Sequence, residues 1–179
     1  MRFWTTFIAY EAAWFAAVIG AGHGLAWPGV AATTLFAAWR VAGSPHREVE
    51  LKLLAAALLL GFVLEEVWVG FGLIRYAAPW PMPTHPAWLL ALWAAFGLTI
   101  VPLFRYLHGR PWLAALFGGI GGPLAYLGAA RGWNAVWLPA RSGPSLLALA
   151  AGWGAAFPCL TLLARHWLTA AGPGASRVS

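Results

Sequence analysis

The chain carries little charge. Only 9% of its 179 residues are Asp, Glu, Lys or Arg, and just five of them are acidic. A soluble domain has about 25% charged residues, so this composition excludes an ordinary soluble fold. The net charge of +6 does not indicate a nucleic-acid partner, because no basic run is interleaved with polar residues.

Cysteine and catalytic motifs are equally scarce. Cys159 is the only cysteine, which excludes an internal disulfide. The sequence holds no HExxH, no serine nucleophile elbow, no phosphate-binding loop and no CxxC. None of the five histidines forms a recognisable metal-ligand motif. We therefore expect neither a metal nor a cofactor.

Apolar sequence is what the chain has in abundance. Hydrophobic residues make up 61% and the mean hydropathy is +0.73. Several apolar runs approach the length of about 20 residues that crosses a bilayer. The pattern predicts an all-α polytopic membrane bundle of six transmembrane helices in one domain, residues 1–171, followed by a short polar tail, residues 172–179. The predicted spans are 3–21, 27–41, 51–77, 87–106, 111–130 and 145–170.

Lysine and arginine predict the orientation of the bundle. With six spans, eight of these residues fall on one side and three on the other. The positive-inside rule places the richer side, with both termini, in the cytoplasm, and we expect a bacterial inner membrane. The eight are Arg2, Arg40, Arg47, Lys52, Arg105, Arg110, Arg165 and Arg177, and the three are Arg75, Arg131 and Arg141.

The stretch 61–76, GFVLEEVWVGFGLIRY, places two carboxylates and an arginine inside an apolar run. On a continuous helix, one row of small, polar and aromatic residues lies within roughly 40° of a single line. An ionised side chain facing hydrocarbon costs at least about 2.5–3.5 kcal/mol, so this line must face protein or a water-filled cavity. We expect the bundle to be organised around this third helix. The line consists of Gly61, Glu65, Trp68, Gly72 and Arg75.

Three glutamates inside predicted spans differ in where they point. Glu65 belongs to this line, whereas Glu66 lies about 100° away, on a side suited to lipid. Counting about 1.5 Å per residue puts Glu11 and Glu65 both near the middle of the bilayer. We expect Glu65, not Glu66, to point into the bundle, facing Glu11 or the region around Tyr126. Such carboxyls have either a functional role, in which they carry protons or bind substrate, or a structural role, in which they hydrogen-bond a neighbouring helix. The sequence leaves both roles open.

The fifth and sixth spans contain helix breakers. GGIGGP, residues 118–123, predicts a kink or break, because Pro123 removes a helix hydrogen bond. Pro158 predicts a kink in the sixth span. Unwound backbone at membrane depth lines a cavity or is buried in protein, and Tyr126, one turn later, is placed to direct its hydroxyl into such a cavity. The same stretch contains a GxxxG, which predicts close helix packing.

Several short motifs are spread over most of the chain: Glu11 with Trp14, GLAWPG, GFVLEE followed by Gly72, PAWLLALWAAF and GGPLAYLGA. Together they resemble an uncharacterised family of small bacterial inner-membrane proteins, catalogued as a domain of unknown function. The resemblance implies an aspartate where Glu65 stands and a small or polar residue where Glu66 stands, and this chain departs from both. By association it implies a link to membrane lipids.

A weaker likeness is to small carotenoid-cyclase membrane domains, which also carry a Glu-Glu pair in an apolar span. The proline that those domains place just before the pair is absent from GFVLEE.

These features favour a protein that binds, or binds and modifies, a lipid or other apolar small molecule in a pocket inside the bundle. Aromatic side chains would form its walls and the carboxyls its polar point, while the arginine either closes the pocket or snorkels to headgroups. The predicted substrate-binding residues are Glu11, Trp14, Glu65, Trp68, Arg75, Trp93 and Tyr126.

Two other functions are compatible with the sequence. A small proton-coupled transporter would use the midplane carboxylates and the broken helices, and would need a homodimer because six spans without a repeat are few. An accessory subunit of a larger membrane complex would depend on its partner. In each case membrane lipid is an expected partner.

Overall fold

The structure is a computed structural model that describes residues 2–171, without the side chain of Arg2. Within this range it contains six α-helices and one short antiparallel ribbon, which confirms the predicted all-α polytopic bundle. The predicted tail, residues 172–179, lies outside the described residues. The helices are α1 (Arg2–Gly22), α2 (Trp27–Ala42), α3 (Arg47–Gly70), α4 (Ala87–Leu103), α5 (Pro111–Trp133) and α6 (Gly143–Ala170); the strands are β1 (Arg75–Tyr76) and β2 (Val136–Trp137).

Helix length and surface chemistry indicate a membrane protein. Among the described residues, four helices are long and apolar enough to cross a membrane: α1, α3, α5 and α6. α4 is apolar but has 17 residues, and α2 has 16. Large apolar side chains cover the outer surface, such as Leu35 at 72% exposure and Phe71 at 79%. Water disfavours such a surface, whereas hydrocarbon accepts it. The orientation of the termini stays a prediction.

α4, not α3, is the central helix, which corrects the expectation from the sequence. It packs against α1, α2, α3 and α6. Its sequence, AWLLALWAAFGLTIVPL, carries no charge and is apolar on every side, the pattern of a fully enclosed helix. Trp88 and Trp93 on this helix are almost completely buried.

α3 ends earlier than its apolar sequence predicts. Gly72 adopts a positive φ of 67°, and its N–H donates to the Val69 carbonyl while the Leu73 N–H donates to the Trp68 carbonyl. This pair of bonds is a Schellman motif, which closes a helix at a left-handed glycine. The predicted third span, 51–77, is therefore too long at its end. Arg75 leaves the helical line and lies in β1 instead.

α5 does not break at GGIGGP, and the alternative that Pro123 only kinks the helix stays a prediction. α5 continues as a helix through GGIGGP, and α6 likewise continues through Pro158. The glycines allow α6 to pack directly on α5: a Cβ at Gly118 would meet the backbone carbonyl of Trp153, and one at Gly122 would meet its ring. This close packing, which the GxxxG predicts, stabilises the helical conformation around Pro123.

The bundle has two distinct ends. At one, called here the ribbon end, β1 pairs with β2 through Arg75 opposite Trp137 and Tyr76 opposite Val136. The Arg75 guanidinium lies 5.0 Å from the centre of the Trp137 ring. The ribbon joins the chain that leaves α3 to the chain that leaves α5. The other end, called the loop end, carries the α2–α3 connection and the short 3₁₀ helix Arg105–Leu107.

Two glycines three residues apart on α5 provide a test of the packing. We expect Gly118→Ala to destabilise the bundle by about 1–3 kcal/mol, the usual effect of overpacking. The matched control is Gly121→Ala, where an added Cβ has no atom within 4 Å. That change should be neutral or stabilise by about 0.4–1 kcal/mol, because it restricts the unfolded chain. Thermal unfolding in detergent measures both, and equal losses would contradict the packing described above.

Candidate functional site

A fully buried carboxyl group forms the centre of the candidate site. Glu65 has no exposed surface, and three side chains donate hydrogen bonds to it. The Tyr76 hydroxyl donates to Oε2, the Tyr126 hydroxyl donates to Oε1, and the Trp93 indole N–H donates to Oε1 at 3.0 Å. These four residues, Glu65, Tyr76, Tyr126 and Trp93, are called the carboxyl cluster below.

Four different elements supply the carboxyl cluster. α3 turns Glu65 inward on the same face as Gly61, and the Trp93 ring of α4 occupies the space that a side chain at Gly61 would fill. α5 contributes Tyr126, and the ribbon holds Tyr76 over the end of α3. The cluster therefore requires the complete tertiary fold.

Aromatic rings enclose the carboxyl cluster. Trp68 meets Tyr126 edge-on with ring centres 6.0 Å apart, and Trp88 meets Tyr76 edge-on at 5.9 Å. The Trp88 indole N–H donates to the Ala77 carbonyl at 3.0 Å, which fixes that ring. Such a setting excludes water, so the donors of the cluster must satisfy the carboxyl oxygens themselves.

The cluster forms a continuous chain of hydrogen bonds from Tyr76 through Glu65 to Tyr126. None of the ion pairs between described residues involves Glu65. Because the Tyr126 hydroxyl uses its proton on Glu65, its oxygen retains lone pairs that accept a further hydrogen bond. Chemically, the cluster presents an oriented phenol backed by a carboxyl group.

Beside Tyr126 lies an aromatic cavity of about 270 Å³, called the aromatic cavity below. It lies between α1, α4, α5 and α6, and its volume is close to the roughly 300–1,000 Å³ of small-molecule pockets. Phe117, Gly121 and Ala125 on α5 line it and are exposed, so it opens sideways onto the apolar outer surface. The aromatic lining residues are Tyr10, Trp14, Trp88, Trp93, Phe96, Phe104, Phe117, Tyr126, Trp153 and Phe157.

The polar part of this cavity lies where Tyr126 and Trp153 meet. Trp153 stacks on Trp93 with ring centres 4.1 Å apart, which fixes the plane of its indole. Its indole N–H is buried near the Tyr126 hydroxyl and makes no hydrogen bond of good geometry to a described residue. The Trp153 N–H and the Tyr126 oxygen therefore lie side by side in this part of the wall.

The structure brings together part of the predicted site. Glu65, Trp93 and Tyr126 belong to the carboxyl cluster, and Trp68 packs behind it without lining the cavity. Trp14 lies on the opposite wall of the cavity, where its ring meets Trp133 edge-on at 5.7 Å. The expectation that Glu65 faces the Tyr126 region is confirmed.

Glu11 and Arg75 lie outside this assembly. Glu11 is half-buried in the middle of α1 and makes no hydrogen bond or ion pair with a described residue. Counted back from the ends of their helices at about 1.5 Å per residue, Glu65 lies roughly 7 Å deep and Glu11 roughly 16 Å deep. Glu65 thus lies near the end of α3 and Glu11 near the middle of α1, and their expected common position at the bilayer midplane stays a prediction. Arg75 is exposed and lies on the Trp137 ring.

Glu66 points away from the bundle interior, as the helical periodicity predicts. Its side chain is 57% exposed and lies 3.3 Å from Nε2 of His85. His85 itself is buried: its Nε2 donates to the Phe62 carbonyl at 3.0 Å, and its Nδ1 lies 2.8 Å from the Thr84 hydroxyl. His85 thus attaches the proline-rich connection to α3. The described residues contain no group of three or more His, Cys, Asp or Glu suited to a metal ion.

Tyr76 and Trp153 are the site residues that sequence reasoning misses. The predicted third span, 51–77, includes Tyr76, whereas the structure ends α3 at Gly70 and turns the chain at Gly72, so that Tyr76 lies outside the helix. Trp153 directly follows Gly152, which belongs to a row of small residues on the sixth span. That row predicts close helix packing, and it gives no reason to expect a ligand-binding role for the tryptophan beside it.

Paired substitutions of the adjacent glutamates test the carboxyl cluster. Glu65→Ala leaves three buried donors without an acceptor, each of which costs about 1–3 kcal/mol. We expect a fall in the thermal unfolding temperature, or failure to fold. Glu66→Ala removes an exposed group with one histidine contact and should change stability by less than about 0.5 kcal/mol. Similar losses in both variants would show that Glu65 is not the satisfied buried acceptor.

One comparison with known proteins gives a result. The chain matches an uncharacterised protein family over residues 3–159, from the first turn of α1 into α6. The matched region includes every residue of the carboxyl cluster and of the aromatic cavity. No curated protein and no solved structure matches the chain. The expected membership of an uncharacterised family is confirmed, and the chain belongs to the family described as "Protein of unknown function (DUF2878)".

Proposed function

We propose that this protein resides in a bacterial inner membrane and binds an apolar molecule with a small polar group in the aromatic cavity. The observation that carries the proposal is a cavity that opens sideways and ends at a hydrogen-bonded phenol, Tyr126. An apolar wall, a few convergent polar groups and a concave shape are the usual features of a small-molecule site.

The lining selects the chemical class of the ligand. Aromatic and aliphatic side chains and glycines form the walls, and no charged residue is among them. A charged ligand would lose its hydration without finding a counter-ion, so we expect a neutral hydrocarbon body. The exposed edge on α5 faces the region where lipid chains lie, which provides a route of arrival from the bilayer.

The polar groups of the wall select the head of the ligand. Tyr126 has an oxygen that accepts, and Trp153 has an N–H that donates. A hydroxyl or a protonated carboxyl group both donates and accepts, and therefore matches this pair. Cys159 is exposed and does not line the cavity, so it is not placed to act as a nucleophile on a ligand bound there. If the protein also modifies its ligand, the phenol of Tyr126 and the carboxyl of Glu65 would act as the acid or base.

The geometry favours binding over proton-coupled transport. The transport hypothesis depended on broken helices and on a pair of facing carboxylates. α5 and α6 are continuous, and the hydrogen-bond partners of Glu65 are Tyr76, Trp93 and Tyr126 rather than Glu11. No observation favours the accessory-subunit hypothesis.

A tryptophan placed in the cavity mouth tests the proposal. Gly121 lines the cavity, and nothing lies within 4 Å of a Cβ built there. We expect Gly121→Trp to fill the cavity and lower the molar ratio of co-purified lipid at least about tenfold. The measurement is mass spectrometry of the organic extract from protein purified in mild detergent.

The control for this experiment is Leu124→Trp, which lies on the same helix, is exposed and does not line the cavity. It should retain the wild-type ratio. Equal lipid content in the wild type and both variants would show that the lipid binds elsewhere, on the outer surface.

Removal of the Tyr126 hydroxyl tests whether this group selects the polar head of the ligand. We expect Tyr126→Phe to weaken binding of oleyl alcohol by about three- to tenfold, the effect of one lost hydrogen bond, and to leave a hydrocarbon of equal length unaffected. Competition with the co-purified lipid, followed by native mass spectrometry, measures both. Tyr106→Phe, which removes an exposed hydroxyl at the loop end, should change neither. Equal effects on the alcohol and the hydrocarbon would contradict a polar contact at Tyr126.

A further inference from the structure

A second cavity, of about 560 Å³, lies at the loop end of the bundle and shares no lining residue with the aromatic cavity. It is called the basic cavity below. Parts of α1, α2, α4 and α6 and the α2–α3 connection form its walls. In contrast to the first cavity, it is lined by cationic side chains, Arg40 and Arg105, together with His46. No carboxylate is among its lining residues.

Arg40 is the deepest of these cations. Its side chain is 10% exposed and forms an ion pair with Glu50, which has no exposed surface. The pair explains how two charged groups are tolerated inside an apolar bundle. It does not use all the donors of the guanidinium, because the buried Nε–H of Arg40 has no hydrogen-bond partner among the described residues. The Oε2 atom of Glu50 is likewise buried without a partner among these residues, so the pair leaves one donor and one acceptor unsatisfied. Buried unsatisfied polar atoms are uncommon, and the Arg40 donor is the one that an anionic ligand would use.

Arg105 supplies a charge that no described residue neutralises. It is exposed on the 3₁₀ helix and takes part in none of the ion pairs between described residues. His46, exposed on the α2–α3 connection, adds a ring that donates a hydrogen bond. Since Glu50 offsets only Arg40, the cavity keeps a net positive charge.

The remaining walls combine apolar side chains, including Trp39, Val101 and Leu168, with the hydroxyl-bearing residues Thr5 and Thr6. The cavity also lies where membrane-spanning helices α1 and α6 reach the end of the bundle. A ligand that fits has an anionic head against the arginines and an apolar part against these walls. Guanidinium groups pair with phosphate through two parallel hydrogen bonds, which makes phosphate the best-matched anion.

We propose that the basic cavity binds a phosphate ester, held by Arg40 and Arg105, whose source is a phospholipid headgroup or a small soluble ester. This site is separate from the aromatic cavity, since the two share no lining residue. The ligand of one is anionic and that of the other neutral.

The test uses the full chain in detergent at about 0.15 M salt, where charges more than about 8 Å apart are screened. Native mass spectrometry measures the affinity for dioleoyl phosphatidic acid, for dioleoylglycerol, which lacks the phosphate, and for glycerol 3-phosphate, which lacks the chains. We expect phosphatidic acid to bind at least about tenfold more tightly than dioleoylglycerol.

Matched arginine variants assign the binding to this cavity. Arg105→Gln should weaken phosphatidic acid by about tenfold, the effect of one charge-assisted contact. Arg110→Gln removes an equal exposed charge at the same end that does not line the cavity, and it should have no effect. The double variant Arg40→Gln with Glu50→Gln removes the ion pair without leaving a lone buried charge, and it should weaken binding at least as much as Arg105→Gln.

The outcomes separate the two sources of phosphate. Binding of phosphatidic acid alone assigns the site to a lipid headgroup, and binding of glycerol 3-phosphate as well assigns it to phosphate esters in general. Equal affinity for dioleoylglycerol, equal losses in Arg105→Gln and Arg110→Gln, or no binding of either phosphate probe would overturn the proposal. None of these results depends on whether the aromatic cavity binds its own ligand.

Discussion

A carboxyl group enclosed by an apolar bundle must find hydrogen-bond donors inside the protein, and much of the structure depends on this constraint. To supply Tyr76, α3 must end at Gly72 so that the chain can turn back as the ribbon. To supply Tyr126, α5 must stay helical through its glycines and proline. To supply Trp93, α4 must lie close enough to α3 for the indole to occupy the space at Gly61. One side chain thus relates the paths of four elements.

The bundle accommodates its two fully buried glutamates by different means. Glu50, at the loop end, is paired with a cation, and Glu65, towards the ribbon end, is surrounded by neutral donors. The ion pair is neutral overall, and the net positive charge of the basic cavity beside it comes from Arg105. Neutral donors leave their surroundings uncharged, and the aromatic cavity lies beside them. The two cavities therefore differ in chemistry, as do the surroundings of the two carboxyls beside them.

Periodicity and hydropathy predict much of this fold but not its long-range contacts. The number of helices and the inward direction of Glu65 follow from the apolar pattern, because both are local properties of a helix. A glycine that ends a helix and a glycine that packs inside one look alike in an apolar run. The apolar pattern therefore predicts that Gly72 and Arg75 belong to the third helix, whereas α3 ends at Gly70. The helical state of GGIGGP depends on α6, and the contact between Tyr76 and Glu65 depends on the ribbon, so neither is encoded locally.

The sideways opening of the aromatic cavity changes the thermodynamics of occupancy. A molecule that leaves the acyl chains for this cavity exchanges one hydrocarbon setting for another, so removal from water contributes no driving force. Its hydrophobic body then adds little selectivity, and van der Waals fit and the polar contact at Tyr126 must distinguish it from ordinary lipid. Fractional saturation depends on the mole fraction of that molecule in the bilayer rather than on its concentration in water. A partition equilibrium within the membrane, and not an aqueous dissociation constant, describes such a site.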